Sequence, residues 1–69
     1  MNVVTAEMSA TVWKLTVPEG AEVASGDTIA ILESMKMEIP VEVDAAGTVR
    51  FKVTEGSEVA EGTVIAELR

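Results

Sequence analysis

The sequence overlays on itself when shifted by 36 residues. Residues 10–33 set against 46–69 give eleven identities without a gap: Ala10/Ala46, Val17/Val53, Glu19/Glu55, Gly20/Gly56, Glu22/Glu58, Val23/Val59, Ala24/Ala60, Gly26/Gly62, Ile29/Ile65, Ala30/Ala66 and Leu32/Leu68. Lys14/Arg50 and Leu15/Phe51 are similar in kind. Any two hairpins with glycine turns share a turn, but not an ungapped register of this density. A fixed internal period marks a unit that is built twice and cannot bury its apolar face alone. The two halves are therefore expected to pack against one another about a pseudo-two-fold axis.

Each half reads as strand, turn, strand. Trp13, Leu15 and Val17 alternate with Lys14 and Thr16, and Val49, Phe51 and Val53 alternate with Arg50 and Lys52. A period of two marks strands with one buried face. Glu19-Gly20 and Glu55-Gly56 supply turns in which glycine takes positive φ at no steric cost. Gly26 and Gly62 precede the apolar strands Thr28–Leu32 and Val64–Leu68, and Ile39, Val41 and Val43 form a further alternating strand. No stretch sustains a 3.6-residue period, so residues 1–69 are expected to form a single all-β domain. The offset also locates the central turn. Position 36 maps onto position 0, the gap between the chain ends, so the tip at 35–37 is predicted to lie at the end of the molecule opposite both termini.

Charge and residue usage exclude most chemistries. Five Lys and Arg against twelve Asp and Glu leave a net charge of −7, which repels the phosphates that a nucleic-acid binder must neutralise. One Trp, one Phe and no Tyr leave no stacking platform for single strands. The absence of Cys excludes disulfides, zinc-thiolate sites and thiol catalysis. The absence of His removes the commonest general base and metal ligand, and with it a phosphohistidine carrier. The longest apolar run, Ile29 to Leu32, is four residues, against roughly 20 for a membrane span. No membrane span or secretory signal is recognised, and a cytoplasmic location is expected. Met1 followed by two complete repeats suggests a free-standing protein.

An autonomous enzyme is thus disfavoured, and attention moves to the tip. It reads Glu33-Ser34-Met35-Lys36-Met37-Glu38. Of the three lysines, Lys14 and Lys52 fall at outward positions of strands and read as solvated charges. Lys36 alone stands on a protruding turn, open to an enzyme that must acylate one lysine and ignore the others. No buried pocket or cationic neighbour marks it as a catalytic amine, which disfavours a Schiff base. Methionine is unbranched and adaptable, suited to packing against a partner's pocket or a bulky attached group. Taken singly, each of these residues has an ordinary structural use: turn lysine, core methionine, solvated glutamate. Their conjunction at the tip carries the argument.

The hexapeptide at 33–38 resembles the biotinylation motif of biotin carboxyl carrier (biotinyl) domains, whose core is Met-Lys-Met. Val17-Pro18-Glu19-Gly20, Val23, Gly26-Asp27, Gly47-Thr48-Val49, Glu55-Gly56, Val59 and Gly62 match the rest of such a domain. The resemblance covers essentially the whole chain and is nearest to short biotin/lipoyl attachment proteins and to the carrier domains of acyl-CoA and pyruvate carboxylases. The ungapped offset leaves no room for the inserted thumb of some acetyl-CoA carboxylase carriers.

The resemblance implies a flattened β-barrel (barrel-sandwich hybrid) of two four-stranded antiparallel sheets. It implies biotin joined covalently to Lys36 by a biotin protein ligase. It further implies that the biotin shuttles a carboxyl group between a biotin carboxylase and a carboxyltransferase, the chain itself being a non-catalytic carrier and a monomer when isolated. Met35 and Met37 correspond to the family's flanking methionines, and Glu33 and Glu38 are candidates for ligase recognition. Lipoyl domains share the fold, but their lysine is typically preceded by Asp and followed by Ala or Ser. Lipoylation stands as the alternative modification, and an unmodified interaction module as the alternative of another class.

Overall fold

Four turns of one construction set the lengths of the strands. They span Pro18–Ala21, Ala24–Asp27, Thr54–Ser57 and Ala60–Thr63, each closed by the fourth N–H donating to the first carbonyl at 3.0–3.1 Å. The third residue of each is glycine, with φ of 82°, 94°, 91° and 89° at Gly20, Gly26, Gly56 and Gly62, a region that side chains with a Cβ avoid. Three of the turns gain a side-chain acceptor, Asp27 Oδ2 for the Ala24 N–H (2.9 Å), Ser57 Oγ for the Thr54 N–H (3.3 Å) and Thr63 Oγ1 for the Ala60 N–H (3.0 Å).

The structure, a computed structural model, describes residues 2–69. Between these turns run eight strands: β1 (Asn2–Thr5), β2 (Ala10–Leu15), β3 (Glu22–Val23), β4 (Thr28–Ser34), β5 (Met37–Glu42), β6 (Gly47–Phe51), β7 (Glu58–Val59) and β8 (Val64–Leu68). All pairings are antiparallel. The strands make two four-stranded sheets, ordered β1-β8-β6-β3 and β5-β4-β2-β7. The orders superpose term by term if β1, β8, β6 and β3 are the mates of β5, β4, β2 and β7. That is the expected barrel-sandwich with its pseudo-two-fold. The short strands β3 and β7 and the edge strand β1 carry too few residues to declare a period.

The core obeys the symmetry throughout. Among the described residues the twelve that are buried are Ala6, Val12, Val23, Ile29, Ala30, Leu32, Val43, Val49, Val59, Ile65, Ala66 and Leu68, and they form six pairs of mates. Ile29-Ala30 and Ile65-Ala66 are consecutive yet buried together, because the ladder slips between Thr28 and Ala30 and, equivalently, opposite Ile65. A bulge of this kind turns two neighbouring side chains to one face. The halves are also clamped to each other by their repeated Glu-Gly turns. Glu19 Oε1 accepts the Phe51 N–H at 2.8 Å, and Glu55 Oε2 accepts the Leu15 N–H at 3.0 Å.

One slip has no mate, and it corrects two expectations. In β2, Val12 lies opposite Leu32 but Lys14 lies opposite Ile31, so Trp13 is an extra residue; β6 runs past β8 without interruption. The structural offset is therefore 36 from Lys14/Arg50 onward but 37 before it. Val12 is the mate of Val49: Gly56 donates to the Val12 carbonyl as Gly20 does to that of Val49. The ungapped overlay thus hides a one-residue insertion. Trp13, expected on the buried face with Leu15 and Val17, is turned to solvent with 42% of its surface exposed.

The tip and the chain ends lie apart. Asn2 pairs with Leu68, and Leu68 with Val49. Thr11 pairs with Glu33 at the tip, and ten residues later Ala21 is bonded to Val49 at the terminal end. The chain thus crosses the length of a 30 × 18 × 18 Å body, as the offset predicts.

Candidate functional site

β4 and β5 make the longest hairpin, and Ser34 opposite Met37 leaves a loop of two residues. Met35 and Lys36 have φ of 52° and 66°, and are the only non-glycine residues with positive φ among those described. Positive φ at both central positions defines the type I′ turn, whose twist suits a two-residue hairpin and whose usual residues are Asn-Gly. For an L-residue with a full side chain this conformation costs about 1–2 kcal/mol. Backbone strain held in this way clusters at functional sites.

The turn throws its side chains outward. Lys36 is exposed, Met35 is 92% exposed and Met37 62%, so neither methionine is a core gap-filler. Glu33 and Glu38, both exposed, lie directly opposite each other one step behind the turn. Like charges so placed are mutually unfavourable, a cost the fold does not require. The side-chain ion pairs among the described residues join Glu67 to Lys52 (3.8 Å) and Arg69 (3.5 Å); Lys36 takes part in none.

The other lysines differ in kind. Lys14 lies in β2 with its Nζ 5.1 Å from the centroid of the Trp13 ring, within cation–π range. Lys52, expected within a strand, falls one residue beyond β6 and is held by Glu67. A groove of about 280 Å³ opens between the edge strands β1 and β5, walled chiefly by Val4, Met8, Leu32, Ile39 and Val41. Lys36 is not among its walls. The arrangement offers an amine to an incoming group and encloses no reacting centre. The tip's lysine was legible in the sequence. Its turn type was not, since Met-Lys carries none of the usual I′ signal.

The chain matches the family model described as biotin-requiring enzyme over residues 2–68. It is 46% identical over 66 residues to a biotin/lipoyl attachment protein of Bacillus subtilis, covering 94% of this chain and 90% of that protein. It is 42% identical over 69 residues to the biotin-dependent acyl-coenzyme A carboxylase alpha3 subunit of Mycobacterium leprae, covering 99% of this chain but 12% of the subunit. Among solved structures it superposes on Kluyveromyces lactis urea carboxylase with a TM-score of 0.91 and 28% identity, over 99% of this chain and 6% of that one. The chain thus corresponds to one small segment of each large carboxylase and to most of the small attachment protein.

Proposed function

The chain belongs to the family of biotin-requiring enzymes, and on that premise we propose that it is a biotin carboxyl carrier whose attachment point is Lys36. The observation that carries the assignment is the tip itself. Lys36 is exposed, in a type I′ turn built from the wrong residues for stability, and joined to no carboxylate among the described residues. An amine so placed fits an amide link to biotin's carboxyl group, formed with loss of water by a biotin protein ligase. When bound, biotin supplies the chemistry, its ureido nitrogen accepting a carboxyl group from a biotin carboxylase and yielding it to a carboxyltransferase.

What the chain contributes is presentation. The two-residue turn leaves the lysine few backbone alternatives, so its swing comes from its own methylenes. Met35 and Met37 give the partner's pocket an apolar collar that adapts its shape. Acylation removes one of five cations and takes the net charge from −7 to −8, which favours rapid, weak encounters with basic rims. A carrier that must leave each active site cannot bind either tightly. The chain performs no bond-making step of its own and acts as a monomer between these partners.

The experiment is intact mass after incubation with biotin, ATP and a biotin protein ligase, beside Lys36→Arg. The expected result is one addition of biotin less water, abolished in the variant although Lys14 and Lys52 remain. Addition to the variant would overturn the assignment. A lipoyl-sized gain in cells, with no biotin, would move the chain to the lipoyl branch.

A further inference from the structure

The pseudo-symmetry supplies an internal control for the surface. Across the outer face of β2, β4 and β5 the register aligns Lys14, Ile31 and Pro40. The mates of these positions on the other sheet are Arg50, Glu67 and Val3, aligned in the same way. In the second row the centre is Glu67, ion-paired to Lys52 and Arg69. The fold therefore accepts a charge there, and the apolar Ile31 is not a folding requirement. Beside it the unmatched insertion projects Trp13. One face thus carries an apolar row of Trp13, Ile31 and Pro40, of which the mate face matches only Pro40, with Val3.

This row adjoins the tip. One pleat nearer the turn stand Glu33 and Glu38, and Ile31 is four residues from Met35, about 13 Å of strand. A standard interface covers about 800 Å² per partner, a disc of about 16 Å radius. An enzyme centred on the tip therefore reaches the row.

We propose that this face is the docking surface for the biotin protein ligase, resting on the carrier reading above. The ligase meets a chain that carries no arm, so protein surface alone must position it. A carboxylase can instead grip the attached group. The surface chemistry asks for basic groups opposite Glu33 and Glu38 and a slot for the Trp13 ring, an aromatic anchor of the type that dominates interfaces. Docking here also covers Lys14, which lies over that ring.

The test uses initial rates of biotin incorporation against chain concentration for Trp13→Ser, Ile31→Glu and, as control, Val3→Ser, with melting curves for each. Ile31→Glu borrows the residue that the mate position already holds. If Trp13→Ser fails to fold, Ile31→Glu carries the test. Expected are KM values raised at least about tenfold with kcat retained for the first two, and an unchanged control. Folded variants with wild-type kcat/KM would overturn the docking face while leaving the carrier reading intact. So would a loss seen only in carboxylase turnover of the preloaded chain. No incorporation into the wild-type chain would overturn both.

Discussion

The two halves of the molecule agree inside and differ outside. Every buried residue has a mate, from Ala6/Val43 to Leu32/Leu68, and so has every glycine turn. Several outer features lack a mate: the Met35-Lys36 turn, the facing Glu33 and Glu38, the Trp13 bulge with Ile31 beside it and, on the other sheet, the ion pairs of Glu67. What packing demands is made twice, because a two-fold core needs both copies. The surface proposed for partners is made once.

The largest test of that contrast is in the core. Ile29→Ala and Ile65→Ala, at fully buried mates, are each expected to cost about 2–5 kcal/mol, by similar amounts in denaturant titrations. A silent variant at either site would break the equivalence of the halves. Met35→Asn combined with Lys36→Gly installs the residues that a type I′ turn prefers. It is expected to raise stability by about 1–2 kcal/mol while abolishing biotin incorporation. Loss of stability on thermal melting would mean that the tip is not strained. The smallest effect is expected from Met37→Leu, which conserves volume on an exposed residue. Incorporation by the ligase should fall less than carboxylase turnover, and the reverse order would assign Met37 to ligase contact instead.

Much of this was legible because it rests on period. Alternation along β5 and β6, the apolar runs of β4 and β8, the Glu-Gly turns and the offset that isolates Lys36 follow from residue type and spacing. Trp13 was misplaced because one inserted residue shifts every earlier side chain to the other face. A chance identity, Ala10 with Ala46, masked the insertion, whereas the structural mate of Ala10 is Gly47, both opposite the valine of a short edge strand. Spacing marks Glu19 and Glu55 only as turn residues. Their hydrogen bonds reach 32 and 40 positions along the chain, and no local pattern encodes such a partner.

The sequence by itself determined an all-β domain made of two like halves and a lysine set apart from the other two. Those follow from hydrophobic alternation, from turn glycines and from self-similarity, all local or periodic properties. Tertiary structure alone decided that the turn is type I′, that Glu33 faces Glu38, and that Trp13 lies outside beside Ile31 and Pro40. Each depends on which residue a strand places opposite its neighbour, and register is fixed only when both sheets close over the shared core.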